Sequence, residues 1–585
     1  MGSRRHPRDT RAARRAVLGA IAGVLAGAAA LGVGQLVAGL TGASGSPVVE
    51  VGQLQIAHTP PWLKEFAITE FGSDDKLALV TGIIAVLAIF AALIGVLAVR
   101  RLAYGMAGLA LFALVGLFAA ISQPTASAAS LLPTVAAVAT AALALRVLVG
   151  RVGPPAPAPQ LEHDGWTGGP AGPQAPGTAE GNAPAAPSPA ADLPDGVPAV
   201  PDLPGGPGGV IRPSVQYGPG WRAGAPAGPQ PPRRSFLAAG AVTAGAAAVA
   251  GLAGRLLVER SSVASARAAV RLPTVAPAAA PVLPAGVNLG IPGLAPFITP
   301  NSDFYRVDTA LVLPQVDPSS WQLRIHGMVS REITLTFDEL LRRPLIEDYV
   351  TLCCVSDPVG GPYISNALWL GTSLAALLRE AGIKAGADQL FCMSADGFTS
   401  GTPVQAVMDG PDAMLAVAMN GQALPVAHGF PARMVVPGLY GYVSATKWVT
   451  DINVTTFAGN YAYWAQQGWS QQAPVKTESR IDVPNGTSQI PAGRTAVAGV
   501  AWAQHKGIEA VEVRVDSGPW NQARLAAVPG LDTWRQWVWE WDATSGNHVI
   551  EARATDKTGY TQTAVQAQPV PNGASGYPSV AVTVG

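Results

Sequence analysis

Four runs of apolar residues, at 16–40, 77–99, 102–121 and 129–149, occupy most of the first 150 positions of this 585-residue chain. Each is about 20 residues or more, enough at about 1.5 Å rise per residue to cross a hydrocarbon core of about 30 Å. No ordinary soluble domain accommodates four such runs in succession, and 585 residues exceed one domain in any case. A charged fraction of only 13% points the same way. The expectation is a four-helix transmembrane region over 1–151.

Basic residues orient these spans. MGSRRHPRDTRAARR precedes the first run, Arg100 and Arg101 separate the second from the third, and Arg151 follows the fourth. The positive-inside rule then puts the N-terminus in the cytoplasm and returns the chain there after four crossings. Lys64 and Lys76 are the exceptions in the outer loops. A cleaved signal peptide is the alternative for the first run, but no convincing small-residue cleavage site follows it. The formal net charge is zero, which implies no polyanion-binding surface and no nucleic-acid partner. Residues 152–232 change character. PAPAPQ, GGPAGPQAPG and APAAPSPAADLPDG offer almost no large apolar side chains, so ordering them would not be repaid by burial. They are expected to form a disordered cytoplasmic linker.

The linker runs into PPRRSFLAAGAVTAGAAAVAGLAGRLLVER. Arg233 and Arg234, followed by Ser-Phe-Leu and a mildly apolar run over 233–260, resemble the twin-arginine export signal. Two arginines also simply mark a cytoplasmic flank. The export reading has a physical corollary, because that route carries proteins already folded around a cofactor. Ala264-Ser265-Ala266 is a candidate cleavage site, and retention as a fifth span is the reading preferred here, giving a multi-pass protein whose C-terminal half is extracytoplasmic.

From 285 onward charged, aromatic and β-branched residues return, and an α+β domain is expected over 285–475. WQLRIHGMV alternates as a strand does, LTFDELLRRPLI reads as a short helix with Thr336 as N-cap, and SLAALLREAGI as a helix ending at Gly382. VTLCCVSD reads as a buried strand entering a turn, and ARMVVPGLYGYVSATKWVTDINV as strand–turn–strand. Only three cysteines are present, Cys353, Cys354 and Cys392, too few for a disulfide framework. Neighbours in an extended strand face opposite ways, so Cys353 and Cys354 are poor partners for each other.

TLCCVSDPVGG resembles the metal-cysteine turn of the sulfite oxidase family of molybdopterin enzymes. HGFPARMVVPGLYGYVSATKW (428–448) resembles its pterin-phosphate segment, and TPNSDFYRVD (299–308) the Asn-x-x-Phe-Tyr loop of its bacterial members. IHGMV, SADGFT and AMNGQALP follow in the family's order. The resemblance implies a molybdenum–molybdopterin cofactor with Cys354 as the protein's metal ligand. A thiolate is a soft donor suited to such a metal, and a buried inert thiol is the alternative. Cys353 and Cys392 are expected to pack. The resemblance further implies cofactor contacts from Asn301, Phe304, Tyr305, Asp357, His428, Arg433, Ser444 and Lys447, with Arg433 and Lys447 supplying positive charge to the phosphate. Arg306 would face the substrate, and Tyr463 with Trp464 would lie on the substrate side. Asp357 departs from the Asn that the family often carries there, which disfavours an anionic substrate.

Competing site types lack their signatures: no HExxH, paired CxxC, Walker loop, GxSxG or CxxCH occurs, and the spans contain no histidine. No haem or iron–sulfur cluster is therefore expected, and electrons would pass to or from an external partner, cytochrome or quinone-linked. Residues 480–585 read as all-β, with strict alternation in VEVRV (511–515) and WVWEW (537–541). This resembles the family's immunoglobulin-like dimerisation domain, implying a homodimer. Trp502, Trp520, Trp537, Trp539 and Trp541 are expected in core and interface. The functional expectation is a membrane-anchored oxidoreductase moving an oxygen atom to or from a small substrate, by sulfite oxidation or S- or N-oxide reduction. The alternative is a metal-free, membrane-tethered binding protein that keeps the fold.

Overall fold

A computed structural model describes residues 7–41, 45–60, 63, 75–123, 126–152, 233–260, 263–273, 282–410, 412–486 and 489–585. The expected linker, 152–232, lies outside the described residues but for Val152. The described residues fall in one compact unit that includes both the long helices and the globular region.

Among the described residues five helices are long and apolar enough to cross a membrane. They are α1 (Pro7–Thr41), α3 (Asp75–Arg100), α4 (Leu102–Ile121), α5 (Leu131–Gly150) and α6 (Arg233–Arg260). Glycines along α1 let two neighbours approach closely. A Cβ added at Gly19 would lie 2.8 Å from the Gly95 carbonyl oxygen on α3, and one at Gly39 would lie 2.9 Å from that of Gly254 on α6. The helix bearing Arg233 and Arg234 is thus packed on α1 as a member of the bundle. One short helix was not foreseen. Residues 47–58, read as part of an outer loop, form α2 (Pro47–His58), opened by Pro47. After α6 the short α7 (Ala264–Ala269) docks on the globular region, where Arg267 donates to the carbonyls of Ala423 and Leu424 at 2.7 Å each.

The globular region begins with two sheets. One has the order Ile333–Thr336, Gln322–Gly327, Val449–Thr455, Gln389–Ser394, Thr399–Pro403, with a single parallel pair between its second and third strands. The other joins Leu345–Cys353, Ile364–Ser373, Met414–Met419 and Gln422–Ala423, and Arg433–Val435 pairs with Met414–Met419. Buried Leu323, Ile325, Leu378, Leu390, Cys392 and Val417 belong to their shared core, so Cys392 packs as expected. Thr336 caps the helix Phe337–Leu341 through a reciprocal bond with Glu339, and Leu374–Ala381 ends at Gly382 with φ +70. The 432–454 stretch is more than strand–turn–strand: one helical turn, Gly441–Ser444, stands between the strands Arg433–Val435 and Val449–Thr455.

The C-terminal region is β-rich. Glu478–Val483, Gly493–Trp502, Arg535–Ala543 and Arg524–Leu525 form a four-stranded sheet, and a five-stranded one joins Gln489–Ile490, Ser579–Val584, Gly546–Asp556, Ile508–Val515 and Asn521–Gln522. Val497, Trp537 and Trp541 of the first sheet and Val511, Val513, Ile550 and Val582 of the second share one buried cluster. Trp502 is buried, Trp539 half-buried, and Trp520 lies under the Arg514 and Arg553 guanidinium groups at 4.5 and 4.3 Å. This region is tied to the strand that delivers Cys354. The Trp534 backbone N–H donates to Thr351 Oγ1 (2.7 Å), and Gln504 Nε2 donates to the Thr351 carbonyl (3.2 Å).

Candidate cofactor site

Cys354 is the first residue beyond the strand Leu345–Cys353. The strand's alternation sends its neighbour Cys353 into a core with Tyr349, Val355 and Trp502, which leaves Cys354 for the other side. Its turn is closed by backbone bonds, Cys354 N–H to the Tyr363 carbonyl (2.9 Å) and Asp357 N–H to the Cys354 carbonyl (3.1 Å). Its sulfur lies 2.9 Å from Ser356 Oγ. Burial lifts this thiol above its ordinary range, and the Ser356 bonds work against that rise. All three cysteines are free.

An aromatic wall stands beside it. Phe304 is buried, stacks on Tyr305 (5.4 Å, 20°) and meets Trp369 and His428 edge-on at 5.6 and 5.4 Å. The Tyr305 N–H donates to Ser365 Oγ at 3.2 Å. Burial, then the nearby Cys354, pushes the Tyr305 hydroxyl upward in pKa, so it keeps its proton as a donor. Asn301 anchors the loop: it donates to the Met419 carbonyl (3.3 Å) and accepts from Asn420 Nδ2 (2.8 Å).

Arg433 and Lys447 form the cationic side. The Arg433 guanidinium is buried, 5.0 Å from the centre of the Trp369 ring, and donates to the carbonyls of His428, Met434 and Ala445 at 3.2–3.3 Å. Burial brings its pKa down to about 10, so it remains charged at neutral pH. Among the described residues no carboxylate pairs with it, and three carbonyl bonds leave part of its five-donor fork for an anion. Lys447 Nζ donates to Asp308 Oδ2 at 2.8 Å. The two cations are brought together by Gly429, at φ +107. A Cβ there would meet Arg433 Cβ at 2.9 Å and Lys447 Cα at 3.1 Å. A buried guanidinium with donors to spare and a glycine-shaped cradle fit a phosphate-bearing cofactor.

The remaining candidates divide. His428 is buried, and burial together with Arg433 and Lys447 drops its pKa to about 3. The ring is then neutral, and its Nε2 faces the Asn301 carbonyl at 3.3 Å, so its one proton braces the Asn301 loop. Donation to a phosphate would need the protonated ring. Ser444 Oγ donates inward to the carbonyls of Leu439 and Tyr440 (3.0 and 3.1 Å). Asp357 is buried, and its carboxylate accepts from the Tyr363 N–H at 2.8 Å, within its own turn; burial raises its pKa to about 7. Arg306 is 41% exposed, with Nε 3.5 Å from Asp308 Oδ2. Tyr463 packs against Phe398 (5.9 Å) and Trp464 (5.1 Å), and Trp464 borders the cluster that holds Cys353.

Three contributors were not singled out from the sequence. Asp308 stands in the quoted YRVD and shares one carboxylate oxygen between Arg306 and Lys447; the Arg-x-Asp spacing was the available signal. Trp369 backs both Phe304 and Arg433 with no local signature. Glu478 is buried, and its Oε1 finds no partner among the described residues; burial, then Asp357, raises its pKa to about 8. Among the described residues no group of three His, Cys, Asp or Glu side chains is placed to hold a metal.

Residues 310–464 match the oxidoreductase molybdopterin binding domain family. The chain is 30% identical over 296 residues to sulfite oxidase of Gallus gallus, covering 42% of this chain and 63% of that protein. It is 29% identical over 153 residues to the uncharacterized oxidoreductase YuiH of Bacillus subtilis, covering 26% of this chain and 74% of that one. A solved structure, the sulfane dehydrogenase SoxCD from Paracoccus pantotrophus, aligns with a TM-score of 0.42 at 25% identity, covering 46% of this chain and 75% of that one. The chain spans 52–63% of the length of the animal sulfite oxidases it matches.

Proposed function

We propose, from a chain whose residues 310–464 are a sulfite oxidase-like molybdopterin-binding oxidoreductase domain, that the protein is a membrane-anchored enzyme. It would transfer an oxygen atom to or from a small substrate on the extracytoplasmic side. One observation carries this reading: a buried thiol at a strand end lies near an aromatic wall that also backs a buried guanidinium with no carboxylate partner among the described residues. The bound cofactor would supply a metal that exchanges an oxygen atom while two electrons pass to or from an external partner.

The chain's own residues then have separable tasks. Cys354 would be the metal's protein ligand, and the Ser356 hydroxyl 2.9 Å away would temper the thiolate's donor strength. Arg433 and Lys447 would hold the phosphate, and the rings of Phe304 and Tyr305 would wall the site from water. The protonated Tyr305 hydroxyl would offer a hydrogen bond at the reacting side. Arg306, the exposed member, would meet the substrate. The five apolar helices support anchoring, with RRSFL at the start of α6 as the export signal. Val263, just before the candidate cleavage site, is buried with Phe304 in one core cluster, which supports retention of the span. The two facing C-terminal sheets support an immunoglobulin-like module, with dimerisation as its proposed task.

Direction and substrate are tested together. Purified full-length protein is assayed with sulfite and ferricyanide, and separately with dimethyl sulfoxide or trimethylamine N-oxide and reduced benzyl viologen. Turnover in one assay that disappears in Arg433→Ala supports the reading. Turnover that persists in both Arg433→Ala and Cys354→Ser would refute the site assignment.

A further inference from the structure

The helix that the sequence left as loop touches the site's charged segment. The Gln53 amide, on α2, lies 3.2 Å from both the Thr309 carbonyl oxygen and the Leu311 nitrogen; assigned with its nitrogen toward the carbonyl, it donates to Thr309 and accepts from the Leu311 N–H, which satisfies both groups. Beside it Gly52 leaves room for Leu311: a Cβ at Gly52 would meet Leu311 Cδ1 at 2.6 Å and Ile83 Cδ1 of α3 at 3.4 Å. A few residues on, the Val263 N–H at the α6–α7 junction donates to Gln315 Oε1 at 3.2 Å. The stretch 301–315 therefore has two sides. Asn301, Phe304, Tyr305, Arg306 and Asp308 serve the site. Thr309, Leu311 and Gln315 are gripped by elements joined to the membrane helices.

We propose that Gln53 is a positioning residue for this site. By clamping Thr309 and Leu311 it holds the Asp308 carboxylate against Lys447 and Arg306, so the bundle sets the charge presented to an anion as well as anchoring the enzyme. The geometry is direct. Asp308, with a side chain 5% exposed, offers one oxygen to Lys447 at 2.8 Å and to Arg306 at 3.5 Å, and the clamped backbone begins at the next residue. A carboxylate so placed competes with any incoming anion for the same two cations. Loosening the clamp lets the carboxylate withdraw and strengthens anion binding. The inference rests on the oxidoreductase reading for its meaning, and its sulfate titration does not.

The probe is inorganic sulfate, titrated by thermal shift against the full-length protein in detergent, with molybdenum content recorded in parallel. Asp308→Asn is expected to tighten sulfate binding about three- to tenfold. Gln53→Leu, which keeps the bulk and loses both bonds, should tighten it in the same direction by a smaller factor. It should also speed hydrogen exchange of the Leu311 amide about tenfold. Gln53→Ala repeats the test should Gln53→Leu insert poorly. With sulfite as substrate probe, the Gln53 variants should change KM and leave kcat within about twofold. In the Asp308→Asn background Gln53→Leu should have no further effect on sulfate. Unchanged sulfate affinity in both Gln53 variants, or an effect that persists without Asp308, overturns the proposal. Absence of turnover in the wild-type protein, with the sulfate pattern intact, overturns the oxidoreductase reading and leaves the clamp standing.

Discussion

Gly429→Ala probes the phosphate cradle with a single methyl group. Two costs add. At φ +107 an alanine sits in a region L-residues avoid, worth about 1–3 kcal/mol. The new Cβ would also stand 2.9 Å from Arg433 Cβ and 3.1 Å from Lys447 Cα. The Lys447 contact is backbone and cannot swing aside, so relief requires separating the strand that carries Arg433 from the turn that carries Lys447, for about 1–3 kcal/mol more. Together these give about 2–6 kcal/mol, or at least tenfold against the cofactor-competent geometry at about 1.4 kcal/mol per decade. The assay is molybdenum by elemental analysis and pterin by fluorescence after oxidation, on protein expressed in a cofactor-competent host. Gly459→Ala is the control: it has a similar positive φ, +80, with nothing within 4 Å of the added Cβ. It should lose a little stability and no cofactor, whereas Gly429→Ala should retain less than a tenth of the wild-type pterin. Equal cofactor content in the two variants would refute the cradle.

Phe304→Ala removes a buried ring packed on Tyr305, Trp369 and His428, and should cost about 3–5 kcal/mol in chemical denaturation; a loss under about 1 kcal/mol would contradict the wall. Glu478, raised to about 8 from an ordinary 4.5, binds its proton more tightly in the folded state, so its share of stability is fully present below pH 4.5 and is lost as pH rises to 8. Glu478→Gln should therefore raise Tm at pH 8, by an amount reflecting about 2–4 kcal/mol, and leave it unchanged at pH 4; equal shifts at both pH values would refute this. His428, lowered to about 3 from 6.5, has the opposite slope, its share of stability being lost as pH falls from 6.5 toward 3. His428→Gln should flatten that acid limb in a pH series of thermal melts. Changing both Arg233 and Arg234 to Lys should leave residues 282–585 protected from protease added outside the cell; digestion as in the wild type would remove the twin-arginine reading.

Periodicity and punctuation made much of this fold legible. The apolar runs became long helices, Thr336 and Gly382 bound their helices as capping chemistry dictates, and the alternation of VEVRV and WVWEW appeared as paired strands. The buried strand running into the Cys354 turn was legible because its pattern is local and contiguous. What escaped depends on contacts distant in sequence. Helix α2 lacks a strong amphipathic period, and its meeting with Leu311 joins positions some 260 apart. Trp369 matters only because Phe304 and Arg433 converge on it. Ser444 and Asp357 hold the right residue types for a cofactor shell, yet their side chains are engaged by nearby backbone, a distinction set by rotamer and turn geometry. For His428 the residue type could not show that burial beside two cations leaves the ring neutral, with Nε2 facing the Asn301 carbonyl.

Cys354 is proposed to ligate the molybdenum of a cofactor whose phosphate Arg433 and Lys447 hold. The most direct measurement is the metal and pterin stoichiometry of full-length wild-type protein and of Cys354→Ser, each with its electron paramagnetic resonance spectrum after partial reduction. One molybdenum and one pterin per wild-type chain are expected, with a signal that changes in Cys354→Ser because a sulfur donor is lost. Stoichiometric metal with an identical signal in both proteins, or wild-type protein free of molybdenum from a cofactor-competent host, would contradict it.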